Sequence, residues 1–165
     1  MIARGAFSQG VSLLRSALAA SDRSGWQTSF PEFLGSLAEG LAGLGNVPEA
    51  IAVVERALDS ANRGERWCVA ELLRIKGELL LQRTGDQPGV SAEICFGEAL
   101  ALARQQDALF WELRAAISFA RFRAAQDRPS DARQILAPVY ERFTDGFETP
   151  DLRAAKEILD ALPAS

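Results

Sequence analysis

The chain has 165 residues, 18 of them basic and 22 acidic, and it contains no histidine. That length suits one domain able to bury roughly 70% of its unfolded surface, so folding requires neither disulfides nor a metal. Lack of imidazole excludes Ser-His-Asp and Cys-His catalysis and His-containing zinc sites, and a formal charge of −4 supplies no field to hold nucleic acid phosphates.

With 28 Ala and 21 Leu against one Tyr, the composition favours helices, and the pattern yields them in chain order. Met1 to Gly10 lack the apolar core of a leader peptide, and no run reaches 18 apolar residues, which predicts a cytoplasmic chain without a membrane partner. The first helix, about Ala3 to Ala20, fills a half repeat over 1–22. Helix pairs are expected over 26–63, 67–106 and 109–145, and a C-terminal capping helix over 149–162. The first helix of each pair runs from about Ser29 to Leu44, Trp67 to Arg83 and Leu109 to Gln126. These stop at Gly45-Asn46, Gly85-Asp86 and Asp127-Arg128-Pro129, residues that suit helix ends and turns. Pro138 bends the last second helix, whose apolar face is expected to reach Phe143, and Thr149 can cap the final helix with Pro150 at its first position. Cys68 and Cys95 sit in apolar stretches without a CxxC spacing and read as buried thiols.

A repeat runs through this order. Gly10, Ala50, Ala92 and Ala132 are each followed four residues later by Leu14, Val54, Phe96 and Leu136. Ala17, Ala57, Ala99 and Val139 come next, beside Leu18, Leu58, Leu100 and Tyr140. The intervals are 40, 42 and 40 residues, and the positions i, i+4, i+7 and i+8 fall on one helix face. Such pairs bury that face only by stacking on their neighbours, so the expected fold is all-α: an α-solenoid of antiparallel helix pairs, about eight helices in all. The half repeat at the start lacks its first helix, which suggests the tail of a larger protein or a partner from another molecule.

These residues resemble the tetratricopeptide repeat. Gly77 stands at its small position, Gly85-Asp86 at its turn, and Ala92, Phe96 and Ala99 match the small, large, small pattern of its second helix. Ala38 and Ala120 replace the glycine elsewhere, Arg123 occupies an aromatic place, and the spacing exceeds that family's period of about 34 residues. From about Arg66 to Leu162 the chain also looks like the C-terminal repeat region of bacterial signalling proteins that join an adenylate/guanylate cyclase or winged-helix module to an AAA-type ATPase. Lys76 to Leu81, Phe110 to Ala116, Leu136 to Tyr140 and Phe143 to Leu152 carry that likeness. The resemblance implies a regulatory or protein-binding role with no catalytic residue, since a GxxxxGK[ST] loop is missing.

In such a stack the first helix of each pair lines the concave side. Its inward polar positions are Glu32 and Glu39, then Glu71, Arg74 and Glu78, then Arg114 and Arg121, a groove passing from acidic to basic that could orient a charged segment. The competing reading makes these solvated charges or ion pairs between helices. Glu39 and Glu78 are the pair a carboxylate catalyst would use, the least favoured of the readings. Trp26, Trp67 and Trp111 recur near the starts of first helices, as packing anchors between repeats, with a peptide-gripping role for one or two of them as the alternative. Phe7, Val11, Leu14 and Leu18 form an apolar edge on the unpaired helix, through which the chain is expected to dimerise. The expected function is therefore non-enzymatic binding of a protein or peptide, without a cofactor or metal. A small-molecule sensor closing on a ligand in the groove is the alternative.

Overall fold

The computed structural model describes residues 4–24, 30–63, 66–83 and 88–163, and among these every regular element is helical. Eight helices follow one another: α1 (Arg4–Ser24), α2 (Phe30–Gly43), α3 (Val47–Arg63), α4 (Val69–Gln82), α5 (Pro88–Gln105), α6 (Leu109–Ala124), α7 (Pro129–Tyr140) and α8 (Pro150–Ala161). The even-numbered helices begin 39, 40 and 41 residues apart. The apolar columns explain this spacing: Ala50, Val54, Ala57, Ala92, Phe96, Ala99, Ala132 and Leu136 are all fully buried. A buried side chain the size of Leu or Phe contributes about 1.5–3 kcal/mol, and here each one sits at the same step of a repeated unit.

Pairs α2–α3, α4–α5 and α6–α7 are helical hairpins, and each second helix also packs on the first helix of the next pair. Helices α2, α4, α6 and α8 pack on one another in series. Among the described residues no two of α1, α3, α5 and α7 pack against each other. A layer whose members touch, backed by a layer whose members splay, must curve with the touching layer inside. The stack is thus an all-α helical solenoid with α2, α4, α6 and α8 on its concave side.

Close approach within a hairpin depends on Gly77. A Cβ there would lie 2.5 Å from Cε1 of Phe96, a ring with no exposure of its own. Three turns close by the same backbone pattern. Gly45 takes a left-handed φ of 85°, and the next N–H, of Asn46, donates to Leu41 O at 2.9 Å. Asp107 (φ 51°) and Asp127 (φ 57°) hold the equivalent place, with Ala108 donating to Ala103 O and Arg128 to Arg123 O. The Gly85-Asp86 turn lies outside the described residues.

Three local expectations are corrected. The helix carrying Pro138 ends at Tyr140, so Phe143 reaches the core from the following turn, edge-on to Phe110 at 6.3 Å between ring centroids. Thr149 occupies the N-cap position of α8, but its hydroxyl is buried without a partner and makes no capping bond. The apolar edge of α1 is not open. Val11 and Leu18 are buried and Leu14 packs against the same core; Val11 stands over Gly40 and the Phe7 ring over Gly43. The physical reason is the stacking rule itself: a second-type helix packs on the first helix of the next pair, so α2 covers α1 as α4 covers α3.

Candidate functional site

The concave side brings together residues from all four inner helices, and charge organises it. Arg74, on α4, is only 4% exposed. Its Nε and Nη2 donate to Glu71 at 2.9 and 2.7 Å, Nη2 also reaches Glu39 on α2 at 2.8 Å, and Nη1 reaches Glu78 at 2.8 Å. Glu71, likewise buried, also receives Nη1 of Arg114 from α6 at 2.8 Å. Arg114 Nε lies 3.9 Å from Asp151 at the start of α8, and Ser118 Oγ on α6 donates to Glu78 at 2.6 Å. One connected ladder therefore crosses α2, α4, α6 and α8.

Electrostatics inside the ladder follow from burial. Desolvation pushes the Glu71 carboxyl above its ordinary range, and it outweighs the hydrogen bond from Arg74 and the charges of Arg74 and Arg114. Burial alone would lower the Arg74 guanidinium, but its bond to Glu71 and the charges of Glu71, Glu78 and Glu39 reverse that and hold it above arginine's usual value.

A cleft of about 70 Å³ opens between α2, α4 and α6. Glu32, Ser36 and Glu39 form one wall, Cys68, Glu71, Leu72 and Ile75 another, and Trp111 with Arg114 the third. The Arg114 guanidinium lies 5.8 Å from the centroid of the Trp111 ring. Glu32 makes no ion pair among the described residues, and neither does Arg121, which is exposed farther along α6.

Of the seven residues expected in the groove, Glu39, Glu71, Arg74, Glu78 and Arg114 thus form one network, Glu32 borders it, and Arg121 stands apart. Two expectations change. Arg74 is not offered to the surface, because three carboxylates enclose it. The groove does not pass evenly from acidic to basic, since Arg114 is drawn into the acidic cluster by Glu71 and Asp151. The tryptophans also depart from the core role: Trp67 is 39% exposed, Trp111 lines the cleft, and Trp26 lies outside the described residues.

Other buried charges were invisible in the sequence. Glu112 is 2% exposed and held between Arg104 and Arg142, tying α6 to the end of α5 and to the turn that follows α7. Arg123 binds both oxygens of Glu93 at 2.6 and 3.0 Å while lying over the Phe119 and Phe122 rings. Cys68 and Cys95 are buried and outside any disulfide, and burial pushes the Cys95 thiol up, away from thiolate chemistry. Among the described residues no cluster of Cys, Asp and Glu has the arrangement of a metal site, and no helix is long and apolar enough to cross a membrane. No protein-family model matches the chain, and no curated protein matches it.

Proposed function

We propose that the chain is a non-enzymatic protein-interaction module that docks an extended peptide segment along its concave side. The observation that carries this reading is the ladder. Charges joining α2, α4, α6 and α8 fix the spacing of the inner helices, and a preorganised surface loses less entropy when a partner binds. The same charges weigh against chemistry, because Glu39 and Glu78, the pair a carboxylate catalyst would need, both bind one guanidinium. A sensor for an organic ligand draws less support: the cleft measures about 70 Å³, against roughly 300–1,000 Å³ for sites that enclose small molecules. The likeness to the repeat tails of bacterial cyclase and ATPase signalling proteins fits a regulatory role within that module, in the cytoplasm.

A photo-reactive residue placed at exposed Ser36 in the groove, and separately at exposed Gln134 on α7, tests the reading. In native lysate the Ser36 probe should give discrete protein adducts that the Gln134 probe does not. Equal labelling from both positions would remove the groove as the docking face.

A further inference from the structure

We infer that the segment docked in the groove is cationic and places an arginine side chain in the cleft between Glu32, Glu39 and Trp111. This rests on the docking reading above and adds the chemistry of the occupant.

Charge balance on the face gives the first argument. Five carboxylates (Glu32, Glu39, Glu71, Glu78 and Asp151) meet two guanidiniums (Arg74 and Arg114), so three negative charges remain. Position sharpens the imbalance. Arg74 is almost wholly enclosed, whereas the side chains of Glu39, Glu78 and Asp151 are 43%, 37% and 34% exposed. The groove presents mainly carboxylate oxygen to an arriving partner, with the Arg114 guanidinium (31% exposed) beside it, and a concave surface with an excess of one sign concentrates counter-charge.

Shape and ring chemistry give the second. The cleft holds about two waters' worth of space, enough for a flat head group and little more. Trp111 walls it with an aromatic ring; Arg114, 5.8 Å from that ring's centroid, is held by Glu71 and Asp151, which leaves Glu32 on the α2 wall as the carboxylate without a counter-ion among the described residues. A planar cation that stacks on an aromatic ring and donates to a carboxylate is the side chain of arginine, in preference to lysine. Arg121, exposed farther along α6 and without an ion pair among the described residues, disfavours a cationic segment at that end, so the positive charge belongs over α2 and α4.

The test is titration of the isotope-labelled full chain with three capped peptides of alternating arginine and alanine, glutamine and alanine, or glutamate and alanine, followed by nuclear magnetic resonance. The arginine peptide should shift the Trp111 indole signal and the amides of Glu32, Ser36 and Glu39, the glutamine peptide should not, and added salt should weaken the effect. Glu32→Gln should reduce the affinity for the arginine peptide about fivefold, the scale of one partly solvated charge pair. If the glutamate peptide binds instead, with shifts around Arg121, the cationic occupant is wrong while the docking face stands. If no peptide moves the groove signals the cationic occupant also falls, and the Ser36 cross-linking result then decides the docking face independently.

Discussion

Arg74→Met tests whether the ladder organises the inner layer. The substitution keeps most of the side chain's apolar bulk and removes the one charge shared by Glu39, Glu71 and Glu78. Breaking a buried ion pair on one side costs about 3–5 kcal/mol. Two considerations place this case near the lower figure: Glu39 and Glu78 are 43% and 37% exposed and can rehydrate, and Glu71 keeps Arg114. A loss of about 3 kcal/mol corresponds to a fall in Tm of roughly 6–12 °C for a chain of this size. The pH dependence supplies a second readout. In the native protein burial already lifts the Glu71 carboxyl above its ordinary 4.5, and removing Arg74 takes away its strongest opposing influence. A carboxyl raised on folding binds its proton more readily in the folded chain than in the unfolded one. Its stabilising share is therefore present at low pH and lost as pH rises through the raised value. The deficit of Arg74→Met should accordingly be small in mild acid and grow towards neutral pH. Adding Glu71→Leu should recover part of it, because an apolar pair of similar bulk replaces a stranded charge. Urea unfolding followed by circular dichroism at several pH values measures all of this. A loss below about 1 kcal/mol at neutral pH, or a deficit that does not change with pH, would refute the reasoning.

Gly77→Ala should destabilise the α4–α5 hairpin by about 2–3 kcal/mol, since the new methyl meets a ring that is packed on all sides. Phe96→Leu in the same chain should relieve part of that cost, and a thermal melt reads both. Val11→Ala should cost about 2 kcal/mol with no change in sedimentation, because Val11 lies against Gly40 inside the chain. An unchanged melt together with an altered oligomeric state would instead place Val11 at a contact between chains.

The solenoid was legible because a helix face that is buried in every repeat must recur in the sequence at the repeat spacing. Phe96, Leu136 and Val54 could be aligned by eye and are all buried to the same degree. The same logic misled at α1. Within its own repeat that stripe meets no neighbouring helix, and the helix that covers it, α2, belongs to the following pair, which no local pattern reports. The charges failed for a different reason. Glu71 and Arg121 look alike in a helical wheel, each a polar residue on the inward face, but one is buried against two arginines and the other stands in solvent.

What separates those cases is distance along the chain, and the repeat supplies a means of reading it. Glu39 meets Arg74 across 35 residues and Ser118 meets Glu78 across 40, in each case about one repeat away on the neighbouring inner helix. In a stack with a fixed period, polar residues on the same face that lie within a helical turn of one repeat apart are brought close, whereas in a chain without a period they are unrelated. The sequence thus contains the ladder, but only once the period is used to compare charge with charge as well as apolar column with apolar column. That comparison also isolates what the ladder leaves over. Glu32 has no such partner among the described residues, since Glu71 stands one repeat on and already holds two arginines, and this carboxylate in the cleft wall is the feature a cationic ligand would satisfy.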